Sequence, residues 1–264
     1  STVMITGESG TGKDLAAKAI HYQSDRADRS FMNVTCTAIA ETLLESELFG
    51  HVKGAYTGAT SDRLGFFEVA GPCGTVFLDE IGDVSAEIQV KLLRVLQTRN
   101  FQRLGDTKLR RFDGKIVAAT NADLSEQMKE GTFREDLYYR LCADKIVTPS
   151  LHEQIVDEPR ELRDLLLFIS RQVVGEEMAV SLADDVGKWI HEELPADYAW
   201  PGNVRELNNV IERAIILCQD GVLCPDQFSI GSLPSSTPNR EDTITLESAE
   251  RQHILNALEK PTVS

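Results

Sequence analysis

Val3-Met-Ile-Thr6 is a short apolar run, Gly7-Glu8-Ser9-Gly10-Thr11-Gly12-Lys13 follows it, and Leu15, Ala16, Ala19 and Ile20 then recur at helical spacing. Strand, glycine-rich turn and helix in that order make a phosphate-binding loop. The glycines let backbone N–H groups curl around an anion, the helix presents its N-terminus, and Lys13 reaches the outer phosphates. Gly7 to Asp14 are therefore the expected contacts of a nucleoside triphosphate. Asp14 stands where the general motif has Ser or Thr for magnesium, so the metal must be held elsewhere.

Downstream, Thr75-Val-Phe-Leu78 is a second apolar run and ends in Asp79-Glu80. Ligands of open α/β sheets bind outside the carboxyl ends of the strands, so two acids ending a buried strand face the crevice of the phosphate loop. Asp79 is expected to hold magnesium, directly or through water, and Glu80 to activate the attacking water. The helix that follows carries Ile88, Leu92, Leu93 and Leu96 on one side. Lys115 to Thr120 and Asp144 to Thr148 read as further strands. Strands alternating with helices predict an α/β fold with a parallel sheet covered on both faces.

After Pro149 the pattern becomes helical, clearest from about Pro159 to Leu217. Leu162, Leu165, Leu166 and Ile169 mark one amphipathic stretch, and Val204, Leu207, Val210, Ile211 and Ala214 another. The expected organisation is an α/β unit over 1–149 and a small all-α unit over 150–230. A linker follows over 231–245, rich in Ser and Pro, and one more amphipathic helix falls within 246–264.

With 264 residues and 42% hydrophobic content the chain can bury a sizeable core. Its net charge of −15 excludes a broadly basic nucleic-acid binder, because phosphate neutralisation supplies most non-specific affinity. Apolar runs such as Val76 to Leu78 or Leu165 to Ile169 are far short of a membrane span, and no signal peptide is visible, so the expectation is a soluble cytoplasmic protein without membrane contact. The five cysteines contain no Cys-x-x-Cys pair and the five histidines do not cluster. Buried thiols and satisfied histidines are expected rather than a metal centre.

These motifs resemble the central AAA+ domain of bacterial enhancer-binding proteins, the NtrC-like activators of sigma-54 RNA polymerase, from Ser1 to about Gly221 and weakly beyond. Gly54-Ala55-Tyr56-Thr57-Gly58-Ala59 is similar to that family's GAFTGA loop, with Tyr56 for Phe, flanked by Glu47-Leu-Phe-Gly-His51 and Arg63-Leu-Gly-Phe-Phe-Glu68. Read from its residues alone, the loop is as well described as a surface turn with a buried Tyr. The resemblance instead makes it the contact with sigma-54. Ala118-Ala-Thr-Asn121 resembles the sensor I strand and places Asn121 near the γ-phosphate or the lytic water.

Phe133-Arg134-Glu-Asp-Leu-Tyr-Tyr-Arg140-Leu141 resembles the arginine-finger helix, whose Arg134 and Arg140 would reach ATP in a neighbouring subunit. On its own spacing, Arg140 could equally pair with Asp136 one helical turn away. Trp200-Pro-Gly-Asn-Val-Arg205-Glu-Leu207 resembles sensor II, with Arg205 on the nucleotide of its own subunit. The resemblance thus implies a P-loop AAA+ three-layer sandwich followed by a helical lid. It also implies ATP with Mg2+, a hexameric ring, and hydrolysis coupled to promoter opening through Gly54–Ala59. Relatives acting at sigma-70 promoters lack that loop. A nucleotide-gated assembly module with little or no hydrolysis is the alternative.

Arg99 to Lys115 is basic within an acidic chain: Arg99, Arg103, Lys108, Arg110, Arg111 and Lys115 stand against Asp106 and Asp113. A weak contact with sigma-54 or DNA and a solvated basic hairpin are equal readings.

Several positions depart from the family pattern. Thr35 occupies the place of an Asn that restrains the catalytic glutamate, Ala70-Gly-Pro-Cys-Gly-Thr75 is one residue longer than usual, and Pro149-Ser-Leu-His-Glu-Gln154 lacks arginines. The family segment before the phosphate loop, which helps hold adenine, is not in this sequence. Thr245 to Leu255 resembles the first helix of a Fis-like DNA-binding domain with no helix-turn-helix after it. The expectation is a fragment, or an unusually short homologue, of a three-domain regulator that reaches DNA chiefly through the missing part.

Overall fold

The computed structural model describes residues 2–195 and 197–217. The chain enters as β1 (Val3–Thr6), turns through the phosphate loop into α1 (Lys13–Tyr22), and returns as β2 (Phe31–Thr35). A short 3-10 turn, α2 (Glu41–Phe49), β3 (Gly50–His51), β4 (Arg63–Leu64) and α3 (Phe66–Val69) precede β5 (Thr75–Asp79). A second 3-10 turn leads to α4 (Ala86–Thr98), the hairpin β6 (Asn100–Phe101) and β7 (Arg110–Arg111), and β8 (Lys115–Thr120). Then come α5 (Leu124–Glu130), α6 (Glu135–Leu141) and β9 (Asp144–Val147).

Five of these strands form one parallel sheet in the order β2-β5-β8-β1-β9. Side chains alternate across a strand, so neighbouring residues serve different layers. Met4, Val34, Val76, Leu78, Ile116 and Ala118 pack on one face with Ile88, Leu92 and Leu137, while Val3, Ile5, Phe77, Val117 and Ala119 pack on the other with Ala17. Burial on both faces explains why these strands read as continuous apolar runs. The result is a three-layer α/β sandwich, a parallel sheet packed on both faces.

Past β9 only helices follow among the described residues: α7 (Leu151–Asp157), α8 (Arg160–Val174), α9 (Glu176–Glu193) and α10 (Asn203–Leu217). Helix α7 starts ahead of the Pro159 to Leu217 pattern because Ser150 and Glu153 close a reciprocal capping box at its N-terminus. Leu166, Ile169, Leu207, Val210, Ile211 and Ala214 are buried, as their periodicity predicts. The linker over 231–245 and the helix within 246–264 lie outside the described residues, as do Cys218 and Cys224.

One local expectation changes. Leu15 is 59% exposed and Ala19 is also exposed, and α1 instead turns Lys13, Ala17 and His21 inward. Buried His21 is satisfied through Nδ1 with the Thr75 hydroxyl at 2.9 Å and Nε2 with the Arg29 carbonyl at 3.1 Å. The longer turn after Ala70 is tied down by Arg26, whose guanidinium donates to the Cys73 carbonyl at 2.7 Å. Among the described residues no helix is long and apolar enough to cross a membrane.

Candidate functional site

Strand register brings the chemistry to one edge. Thr6 pairs with Thr120 and Thr35 with Asp79, so Gly7, Glu80 and Asn121 emerge side by side beyond the carboxyl ends of β1, β5 and β8. A cavity of about 490 Å³ opens there. Its lining includes Ser9, Gly10, Gly12, Lys13 and Asp14 of the loop and helix α1, the acids Asp79 and Glu80, Asn121, and Arg205 of α10. Gly7, Glu8 and Thr11 shape the loop without lining the cavity. Gly10 and Gly12 have φ of 80° and 81°, a left-handed backbone that glycine adopts without penalty.

Within the cavity Lys13 is 9% exposed, and its Nζ donates to the carbonyls of Gly7 at 2.9 Å and Glu8 at 2.7 Å. Burial pulls this ammonium below its ordinary pKa, while nearby Asp79 works the other way. Burial pushes the carboxyl of Asp79 up, and Glu80 is raised by burial and then by Asp79 beside it. Two crowded carboxylates facing a lysine and an arginine make a site whose charges are incompletely solvated. Cys36, buried beside these acids, is pushed up to about 12 by burial, and its thiol is inert.

Glu80 itself has φ 58°, and its amide donates to Asp79 Oδ1 at 3.0 Å. Its Oε2 accepts a hydrogen bond from the hydroxyl of Thr37, not from Thr35. Sequence reading missed Thr37, since nothing in the spacing from 37 to 80 announces the contact. It likewise missed Asn33, which lines the cavity from β2, and Gln89. Fully buried Gln89 donates to the carbonyls of Val84 at 3.0 Å and Thr132 at 2.9 Å, and its Oε1 accepts from the Arg134 amide at 2.9 Å.

Arg205 donates to the Ser9 hydroxyl at 3.0 Å, placing the lid helix over the loop. Arg134 and Arg140 do not line the cavity; both are exposed on the segment around α6. Asp136 is taken by Arg134 in a two-bonded pair at 3.0 and 2.7 Å, so the alternative pairing of Asp136 with Arg140 does not form.

Gly54–Ala59 stands apart from the cavity. Gly54 donates to the Ala59 carbonyl at 2.8 Å and Ala59 to that of Tyr56 at 3.0 Å, closing a tight tip with φ 81° at Gly54 and 104° at Gly58. Thr57 is exposed and Ala59 buried. Tyr56 is half-buried, its ring edge-on to His51 at 5.1 Å, and His51 is held by Ser46 at 2.7 Å. The basic stretch packs alongside: the Val52 amide donates to the Leu104 carbonyl at 3.1 Å, the Leu104 amide donates to the Gly50 carbonyl at 2.9 Å, and a Cβ on Gly105 would meet that of Ala55 at 2.9 Å.

Most of the cations in that hairpin are already engaged. Arg103 donates twice to Glu68 at 2.7 Å, Arg110 reaches Glu68 and Asp106 at 2.8 Å, Arg111 pairs with Asp113, and Arg99 donates to the Gly114 carbonyl. Arg103 and Arg110 are therefore tied into the hairpin by ion pairs, neither solvated nor free for a partner.

A loop for phosphates, acids for a hydrated cation and an arginine on a lid together suit a nucleoside triphosphate. Among the described residues no group of three or more His, Cys, Asp or Glu forms a metal cage. Asp79 with substrate phosphates fits magnesium, which is held by one or two carboxylates and keeps several waters.

Comparison with known proteins agrees with this geometry. Residues 1–147 match the family model described as the sigma-54 interaction domain, and residues 180–243 match the AAA+ ATPase lid domain. The Nif-specific regulatory protein of Azotobacter vinelandii is 46% identical over 266 residues, covering 98% of this chain and 49% of that protein. The regulatory protein AtoC of Escherichia coli K12 is 48% identical over 217 residues, covering 82% of this chain and 45% of its own. The crystal structure of NtrX from Brucella abortus in complex with ATP superposes with a TM-score of 0.70 at 31% identity, covering 98% of this chain and 56% of NtrX. The chain spans about half the length of the curated relatives it matches. It belongs to the sigma-54 interaction domain family of AAA+ proteins.

Proposed function

We propose that this chain hydrolyses ATP in a homo-oligomeric ring, a hexamer, and uses the turnover to press Gly54–Ala59 against sigma-54 in RNA polymerase holoenzyme, driving promoter opening in the cytoplasm. The observation that carries this reading is the convergence of Lys13, Asp79, Glu80, Asn121 and Arg205 on one cavity. Loop N–H groups and Lys13 bind the phosphates, and Arg205 closes over them from the lid. Asp79 would hold Mg2+, which supplies charge neutralisation at the phosphate oxygens when bound.

Glu80 accepts the proton of the attacking water as that oxygen bonds to the γ-phosphorus and the bond to the β-γ bridging oxygen breaks, releasing ADP and phosphate. Asn121 orients the water. Because Arg134 and Arg140 are exposed and away from their own cavity, they suit the site of a neighbouring copy, where a permanently charged guanidinium stabilises charge on the transferring group.

The test is turnover of Glu80→Gln, Arg134→Ala and their mixture. Each variant alone is expected to lose turnover by a factor of about 1,000 or more. Mixing restores a fraction of wild-type rate, because some interfaces then join an intact Glu80 to an intact Arg134. No recovery on mixing contradicts catalysis between subunits. Equal, negligible rates for Glu80→Gln and the unaltered chain would favour the nucleotide-gated module instead, the state in which Thr37 keeps Glu80 engaged.

A further inference from the structure

Two parts of the chain that follow the sheet grip the phosphate loop. On one side, Thr148 lies directly after β9. Its hydroxyl meets that of Thr11 at 2.8 Å, its amide donates to the Thr6 carbonyl at 2.8 Å, and a Cβ on Gly7 would fall 2.1 Å from its Oγ1. On the other side, the turn before α10 presses on Gly10. A Cβ there would lie 2.3 Å from the Gly202 carbonyl oxygen and 3.1 Å from Arg205 Cβ. That turn is braced by buried Glu206, which accepts from the Gly202 amide at 2.9 Å and the Tyr198 hydroxyl at 2.7 Å.

Asn203 sits where these parts meet. It is 0% exposed and has φ 51°, a left-handed conformation that Asn tolerates better than most residues. Its Nδ2 donates to Glu8 Oε2 and to the Ser9 carbonyl, both at 3.0 Å, and its Oδ1 accepts from the Leu151 amide at 2.7 Å. One planar carboxamide therefore joins the phosphate loop, the first residue of α7 and the first residue of α10. Only an amide offers two donors and an acceptor on so short a stem; Asp lacks the donors and Leu lacks both functions.

We propose that Asn203 is a positioning residue that ties the lid helices to the state of the phosphate loop, so that nucleotide contact at Glu8 to Gly12 is passed to α7 and α10 through its carboxamide. The inference rests on the nucleotide reading above. Phosphates held by the loop's N–H groups act on the same backbone that carries the Ser9 carbonyl, and the two ends of a rigid amide cannot move independently. By linkage, whatever factor nucleotide exerts on the α7 contact, the α7 contact exerts on nucleotide affinity.

The test is backbone amide hydrogen exchange at Leu151, with and without ATP, alongside steady-state turnover. It compares the unaltered chain, Asn203→Asp and Glu8→Ala. In the unaltered chain ATP changes exchange at Leu151. Asn203→Asp keeps an acceptor for Leu151 but sets a carboxylate against Glu8. Leu151 then stays protected without nucleotide, its response to ATP disappears, and by the same linkage the ATP affinity read from Kd and KM shifts about fivefold or more while kcat moves less. Glu8 is exposed, so Glu8→Ala leaves the fold intact and weakens the same response. A full response at Leu151 in both variants overturns the proposal. An unaltered chain that hydrolyses ATP with Leu151 indifferent to it overturns the proposal and leaves the nucleotide reading standing. An unaltered chain that binds no ATP overturns both.

Discussion

Asp79 shows how the site trades stability for chemistry. Burial raises its carboxyl pKa, and its charge raises that of Glu80 in turn. Below the ordinary carboxylate value, near 3.9 for Asp, folded and unfolded chains are both protonated and the group contributes nothing. Between that value and the raised one, the folded chain keeps a proton the unfolded chain has shed. Stability therefore falls as pH rises through this window and stays lower above it. Asp79→Asn is accordingly expected to raise the Tm of the nucleotide-free protein by a few degrees at pH 7 and to flatten its pH dependence over that window, at about 2–4 °C per kcal/mol for a chain of this size. Magnesium-dependent turnover is lost in the same variant. A lower Tm by calorimetry would mean that Asp79 serves the fold through Lys13 more than it strains it.

Lys13, Asp79 and Glu80, which the structure brings to one cavity, were legible because their chemistry is written into residue type and local spacing. Thr37, Gln89 and Asn203 were not visible. Each is an ordinary polar residue whose role comes from a partner 43 to 195 positions away.

Among the elements, the hairpin β6–β7 and the turn carrying Gly54–Ala59 form one mechanical unit. Glu68 of α3 sits under it, paired with Arg103 and Arg110, whose side chains are 11% and 16% exposed. The Arg103 bond, with its charge, holds the Glu68 carboxyl below its usual range. Glu68→Ala leaves two poorly solvated guanidinium groups short of a partner, a loss of about 1–3 kcal/mol. It is expected to lower Tm by several degrees and to speed amide exchange at Val52 and Leu104, while Lys13 and Asp79 still bind nucleotide. Unchanged exchange at those two amides would show that the hairpin is held by its backbone bonds alone.

Elements were readable from sequence where burial was one-sided or complete. The α4 stripe and the apolar runs of β1, β5 and β8 are examples. The strand β2 was not read, because Phe31-Met-Asn-Val-Thr35 alternates only weakly and owes its place to pairing with β5. The inward face of α1 departs from its apolar spacing for a related reason: Leu15 serves the wall of the cavity rather than the core. The start of α7 is set by the capping box of Ser150 and Glu153, a weak signal in sequence because no apolar periodicity stands behind it.

For the molecule as a whole, the acidic balance of −15 is compatible with the proposed function, a motor working on nucleotide, its own copies and a sigma factor. Arg134 and Arg140 lie outside their own cavity and Thr57 lies exposed on a turn remote in sequence from the lid, so function on this account requires copies arranged around a partner. The most direct measurement is ATP-dependent open-complex formation on a sigma-54 promoter, comparing this chain with Thr57→Ala under conditions where both hydrolyse ATP. The account predicts open complexes with the unaltered chain and a loss of at least about tenfold with Thr57→Ala at near-normal turnover, the size of a lost contact energy of about 1.4 kcal/mol. Equal open-complex yields from the two proteins, or none from an unaltered chain that hydrolyses ATP, would contradict it.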